Sequence, residues 1–178
     1  MIYARFEADD SYCCSNNPVQ LWWVNGQTVG PGESIDAMLD RIEPLLRDGE
    51  RYWNDFMIQD RLGQIEGLLE KAKQGNLQPI SEIKPLHRSS PRRLFEVRQE
   101  IDVEYRTMVG PAVVDRQYDI ELLRIYHGET TKLPAHAVHL HLHFKDTDRD
   151  AAVLQDSEID RAAEIYDNGE PNSWGIPH

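Results

Sequence analysis

Cysteine is nearly absent: the chain has two, Cys13 and Cys14, and they are adjacent. Adjacent cysteines build neither a CxxC redox pair nor a zinc ribbon, and they suggest no disulfide framework, so a reducing cytoplasm is the default setting. No run of 18 apolar residues exists, so no membrane span is expected. The first ten residues, MIYARFEADD, are acidic and lack a long apolar core, which argues against a secretory signal. Internal repeats and low-complexity tracts are missing. Basic residues are scarce as well, 19 Lys and Arg against 31 Asp and Glu, for a net charge of -12. A protein that coats DNA or RNA generically should be basic, so this balance argues against that class. What remains is ordinary globular composition, 40% hydrophobic and 28% charged over 178 residues, enough for one domain with a proper core.

The charge is unevenly spread. Residues 1–82 sum to -7, residues 83–98 (IKPLHRSSPRRLFEVR) to +4, residues 99–144 to -3 and residues 145–178 to -6. One basic island therefore sits in an acidic chain, and local potential decides whether an anion docks.

The apolar pattern divides the chain into elements. Leu21 to Val24 can supply a short first strand, and Asn25-Gly26 is a hairpin-turn dipeptide. Ser34 is a plausible N-cap for a first helix with apolar residues at Ile35, Met38, Leu39, Ile42, Leu45 and Leu46. Pro44 is expected to kink or break that helix, and Gly49 to end it. A second helix is expected from about Arg51 to Gln74, stopped by Gly75. The period then changes from 3.6 to 2. Phe95–Val103 alternates apolar and charged residues, Tyr118–His127 reads as a central strand, and His136–Lys145 is the clearest strand. A final helix is expected over about 151–167. The reading is α+β: a small antiparallel sheet with two N-terminal helices and one C-terminal helix packed on one face. Residues 1–33 form an N-terminal extension, 34–167 the domain, and 168–178 an irregular tail.

The other sheet face is then polar, and chemistry is sought there. Strict alternation places His139, His141, His143 and Lys145 on one side of the last strand. Arg124 and Tyr126 share a face of the central strand, with His127 on the other, and Arg98 belongs beside them if the strands pair as expected. His-x-His with a carboxylate from a neighbouring strand is one way to bind zinc, with His139, His141 and His143 as ligands. A metal-free alternative is RNA cleavage by the substrate's own 2′-hydroxyl. That reaction needs a general base, a general acid and cations on the phosphate, which His, Tyr, Arg and Lys supply.

Ordered short motifs add a family resemblance. Ile83-Lys84-Pro85-Leu86-His87-Arg88 followed by Leu94-Phe95-Glu96-Val97-Arg98 resembles the KPL…L-x-E-[LV]-R stretch of the RelE/HigB-like toxins. Leu123-Arg124-Ile125-Tyr126 is similar to the R-[VI]-[FY] strand of that family. His139 to Lys145 is similar to its L-H-x-F-x-K strand, and Glu158-Ile159-Asp160-Arg161-Ala162 to the E-I-x-x-A of its closing helix. The resemblance covers about residues 34–167, mostly 83–167, and the element order agrees. It implies a RelE-like fold and a metal-independent, cofactor-free mRNA endonuclease, usually ribosome-dependent and neutralised by a small antitoxin. By the same resemblance Arg98 and Arg124 bind the scissile phosphate. Tyr126, His141 or His143 handle protons, and Lys145 stabilises charge. Lys84, His87, Arg88, Arg92 and Arg93 would meet RNA. Members are typically basic and shorter, whereas here Glu96, Glu100, Asp102 and Glu104 surround Arg98. That acidic setting marks a second possibility, a non-catalytic relative that binds a protein partner, with self-association a further candidate.

Overall fold

A computed structural model describes residues 6–47, 51–86, 92–145 and 151–177, with the side chains of 145 and 151–154 outside that description. Five strands form one mixed sheet in the order β1-β5-β4-β3-β2. They are β1 (Gln20–Trp23), β2 (Ile83–Pro85), β3 (Arg93–Val109), β4 (Ala112–Glu129) and β5 (His136–Lys145). β1 runs parallel to β5 and the other neighbours are antiparallel. Three helices accompany the sheet: α1 (Ser34–Arg47), α2 (Asp55–Lys73) and α3 (Ala151–Gly169).

The helices divide between the two faces, which corrects the expected one-sided packing. On one face Val97, Ile101, Leu123, Ile125, Ala137 and Leu142 meet α1 and α2 through Met38, Ile42, Leu46, Ile58, Ile65 and Leu69. On the other, Leu94, Tyr126, Val138 and Leu140 meet α3 through Ile159, Ala162 and Tyr166. The central strands are apolar on both faces in their middle, so each face needs a cover; leaving the second bare would expose a large apolar surface. The expected purely antiparallel sheet is corrected in the same way. The chain leaves β1 through α1 and α2 to β2 at the opposite edge and returns through β3 and β4 to β5, so no hairpin joins β1 to β5 and the pair is free to align parallel.

Local signals account for most element ends. Asn54 caps α2 by accepting from Met57 N at 2.8 Å, which starts the helix four residues later than Arg51. Gly75, at φ +73°, ends α2, and a side chain there would meet the Asn17 backbone oxygen at 2.3 Å. Pro44 lies inside α1 and does not break it. It is exposed and one turn from the helix end, so its missing N–H removes a single late bond. Gly49 lies outside the described residues. The N-terminal extension is part of the fold: β1 belongs to the sheet, and Phe6, Cys13 and Val19 join the α1/α2 core. The tail also packs, with Trp174 and Ile176 against α3. No described helix is long and apolar enough to cross a membrane.

Two irregularities shape the sheet. Between β4 and β5 the register shifts: Tyr126 pairs with His141 but His127 with His139, leaving Leu140 as the extra residue of a bulge. From Ile101 and Glu121 onward, where β4 no longer pairs with β5, β3 and β4 continue as a two-stranded arm closed at Gly110-Pro111. Val109, Val114, Tyr118 and Ile120 on this arm are exposed.

Candidate functional site

Strand register assembles the site on the α3 face. Arg98 pairs with Arg124 and Arg124 with His143, giving one row across three strands. The next row runs Lys84, Glu96, Tyr126, His141 from β2 to β5. Directly opposed residues share a face, so two arginines, a tyrosine, two histidines and a glutamate converge on one patch. Lys145 pairs with Leu122 one row further on, and only its backbone is described.

The patch is held by charge and ring contacts. Arg124 Nη1 donates to Glu96 Oε2 at 2.5 Å, with both side chains 4% exposed. Arg98 Nε forms an ion pair with Glu96 Oε1 at 3.2 Å. Tyr126 and the two imidazoles form a triangle of rings, with centroids 6.2 Å from Tyr126 to His141, 5.5 Å from Tyr126 to His143 and 6.1 Å between the histidines, all close to parallel. From α3, Glu158 Oε2 is hydrogen-bonded to His141 Nε2. Four buried polar atoms of this patch are without a hydrogen bond of ordinary geometry among the described residues, Arg98 Nε, Arg124 Nε, Tyr126 Oη and His143 Nδ1, although Arg98 Nε keeps its ion pair with Glu96 and Tyr126 Oη an interaction with Arg124. Buried polar groups are normally paired, so such a group of orphans marks a place where a polar ligand fits.

Burial sets the proton affinities. It pulls His143 down to about 4, against the attraction of Glu158 and with help from His141 and Arg124. It lowers His141 too, with Glu158 opposing and Arg161 assisting. It pushes the Tyr126 phenol well up, reinforced by Glu96 and opposed by Arg124. At neutral pH the two imidazoles are therefore neutral and able to accept protons, while the phenol holds its proton and can donate it. A cavity of about 410 Å³ opens beside Arg98 at the edge of β3, lined also by Leu68, Ile80, Glu82 and Leu122.

A second polar cluster lies on the α1/α2 face. Glu129, fully buried, accepts from Ser11 Oγ at 2.5 Å, from Tyr12 N at 3.0 Å and from Arg93 Nη2 at 3.3 Å. His127 Nε2 lies 3.2 Å from Glu129 Oε1 and 4.0 Å from Cys13 Sγ. Both partners therefore meet the same ring nitrogen. A thiol-imidazole-carboxylate relay needs them on opposite nitrogens, so this is no nucleophile triad. Burial and Glu129 push the Cys13 thiol up, which also opposes nucleophilic reactivity.

The predicted residues now separate. Arg98, Arg124, Tyr126, His141 and His143 come together, and Lys84 borders them. His139 does not join them. The Leu140 bulge turns it to the opposite face, against His127 at a centroid distance of 5.4 Å, so His139, His141 and His143 form no common metal site. Glu158 takes its place: His141, His143 and Glu158 offer ligand atoms within 4.8 Å of one another. Arg92 is engaged by Asp167 of α3, its Nε at 2.6 Å. Arg93 lies on the α1/α2 face, where it holds Glu129 and donates to Asp10 O at 2.6 Å, so it does not line the patch. His87 and Arg88 lie outside the described residues. Sequence reasoning missed Glu158 and the Cys13–His127–Glu129 cluster. Glu158 borders the Ile159, Ala162, Tyr166 stripe that seats α3, which was the available signal. Cys13 gave none, because its partners are more than 100 residues away.

Searches against protein-family models, curated proteins and solved structures find no match to the chain.

Proposed function

We propose that the chain is a RelE/HigB-like, metal-independent endoribonuclease of the toxin kind, working from the α3 face and neutralised by a small antitoxin protein. The observation that carries this reading is the convergence of Arg98, Arg124, Tyr126, His141 and His143 on two adjacent cross-strand rows. A scissile phosphate would be received by the guanidinium donors that Glu96 does not use, on the partly exposed Arg98 and on the buried Arg124 behind it. One neutral imidazole, His143 or His141, would take the 2′-hydroxyl proton. The other imidazole, once protonated, or the Tyr126 phenol would give one to the 5′-oxygen that leaves. The 2′-oxygen attacks phosphorus and the 5′-oxygen bond breaks, leaving a 2′,3′-cyclic phosphate and a 5′-hydroxyl. Glu96 keeps the two guanidiniums side by side, and Glu158 holds His141.

Tight induction in a bacterial host tests this, comparing the wild type with the Arg124→Ala, His141→Ala double variant and with His143→Ala. Growth arrest by the wild type alone, with cyclic-phosphate RNA ends, is the expected result. RNA left intact by the wild type, free and on ribosomes, would overturn the reading.

The arm favours a second reading, a module that binds a basic protein partner. Glu100 and Asp102, exposed on one face of β3, set an acidic stripe beside the exposed side chains of Tyr118 and Ile120. An amphipathic segment with lysines on one flank would match both stripes. Capture of such a partner by a chain without ribonuclease activity would favour this reading.

A further inference from the structure

The polar cluster on the α1/α2 face lies apart from the proposed catalytic patch. We propose that Cys13, His127, Glu129 and His139 bind a zinc-like transition-metal ion that fastens the N-terminal segment to the sheet.

Three of the four ligand atoms already converge. Cys13 Sγ, His127 Nε2 and Glu129 Oε1 lie within 4.8 Å of one another. Cys13 comes from the short helical turn Tyr12–Cys14, while His127 and Glu129 are two residues apart on β4 and so share a face. His139 stands opposite His127 across the strand pair. Its Nδ1 faces Trp22 O at 3.2 Å, which fixes the proton on that nitrogen and leaves Nε2 with its lone pair. That Nε2 is buried and has no hydrogen-bond partner among the described residues. A ligating histidine characteristically donates its other nitrogen to a backbone carbonyl in this way. All four residues are 0% exposed.

The donor set fits the ion. One thiolate, two imidazoles and a carboxylate are a borderline-soft, four-donor set drawn from the ligand types that zinc accepts, enough to close a tetrahedral site. His139 is pulled down to about 3 by burial, so it is neutral at pH 7, the state that ligates. Ser11 Oγ and Tyr12 N supply the outer hydrogen bonds to Glu129 that orient a ligating carboxylate. On binding, the Cys13 S–H bond breaks, its proton passes to solvent, and the sulfur electron pair goes to the metal. Full burial means that the ion enters during folding.

Cobalt(II) gives the test. The full chain is refolded with one equivalent of cobalt(II), and the absorption spectrum is read. A thiolate-to-cobalt charge-transfer band with tetrahedral d–d bands, displaced by zinc(II), is the expected result. Cys13→Ser should lose the charge-transfer band, and His139→Asn should weaken cobalt binding by about 10-fold or more. His143→Ala, on the opposite face, should leave the spectrum unchanged. Circular dichroism checks that each variant is folded. Absence of the thiolate band in the refolded wild type would overturn the proposal. So would a spectrum that survives Cys13→Ser but is lost in His143→Ala, which would assign the ion to the other face.

Discussion

His139 and His141 are two residues apart on β5 yet point to opposite faces of the sheet. The Leu140 bulge separates a row that strict alternation would have kept together. One histidine goes to the buried cluster of Cys13, His127 and Glu129, and the other to the patch of Arg124, Tyr126 and Glu158. The two faces should therefore answer to different experiments.

The first prediction concerns Arg124 and Glu96. They are a buried ion pair on neighbouring strands, so removing one partner leaves a desolvated charge. Arg124→Ala should lower stability by about 3–5 kcal/mol, whereas Arg124→Met with Glu96→Leu should recover most of that loss. Urea unfolding of the single and double variants checks this. It also separates the role of the pair in stability from any role in RNA cleavage.

The second prediction is a pH dependence. The fold holds His139 near 3, mainly by burial and then by His127, while an unfolded histidine titrates at about 6.5. Below pH 6.5 the unfolded chain takes up a proton that the folded His139 refuses. Stability is thus full above about 6.5 and falls as pH drops toward 3, at about 1.4 kcal/mol per unit. From pH 7 to pH 5 the loss from His139 alone is about 2 kcal/mol, and His143, held at about 4, adds to it in the same direction. Urea midpoints of the metal-free chain at pH 5, 6 and 7 measure the slope. His139→Asn should flatten it.

How far these features are legible in the sequence follows from which interactions are local. The helices of 34–47 and 55–73, the strand 136–145 and the turn at Asn25-Gly26 follow from periodicity and turn chemistry within a few residues, but the expected cap does not: Ser34 is the first residue of α1, and its buried hydroxyl has no hydrogen-bond partner among the described residues. The shared face of Arg124 and Tyr126, with His127 opposite, follows from alternation along one strand. The bulge does not, because nothing in HAVHLHLHFK marks Leu140 as the extra residue. The second face needed its own helix because Tyr126, Val138 and Leu140 are buried. The sequence states their hydrophobicity but not which helix meets them. The Glu129 cluster joins positions more than 100 residues apart, beyond the reach of any local pattern.

The third prediction uses that long-range anchor. Glu129 accepts from Ser11, Tyr12 and Arg93, so it ties the N-terminal segment to β4. Glu129→Gln removes the charge-assisted bonds but keeps the volume. Hydrogen exchange should accelerate over residues 6–17 while β3 and β4 stay protected. Global stability should fall by about 1.5–3 kcal/mol, the scale of a hydrogen bond to a charged group. Exchange rising equally across the sheet would show that the anchor is not local.

The fourth prediction reads the Glu158–His141 contact directly. Glu158 is the group that raises His141 against the lowering effect of burial and Arg161. Glu158→Gln should therefore move the His141 titration to lower pH, followed by its imidazole proton resonances. His139, on the other face and buried away from α3, should not move. If the reading of the α3 face as a proton-transfer site holds, the acid limb of RNA cleavage should shift to lower pH with it.

The last prediction tests how α3 is seated. Gly128 lies under the ring of Tyr166, and a Cβ at that position would come within 2.4 Å of Tyr166 Cδ2 and 3.3 Å of Leu94 Cδ2. Such distances force the ring to move, and Tyr166 is wedged in place by the edge of Trp174 at a centroid distance of 5.3 Å. Gly128→Ala should therefore loosen α3 and the tail as a unit, at a cost of about 1–3 kcal/mol typical of overpacking. The α1/α2 face has no such contact and should keep its protection. The strain enters through one ring, so Tyr166→Leu in the Gly128→Ala background should recover part of the loss. In the wild type the same substitution should destabilise, because it empties the space that Gly128 leaves for the ring. That reversal of sign, measured by thermal unfolding of the four chains, distinguishes a steric fit between Gly128 and Tyr166 from a general weakness of β4.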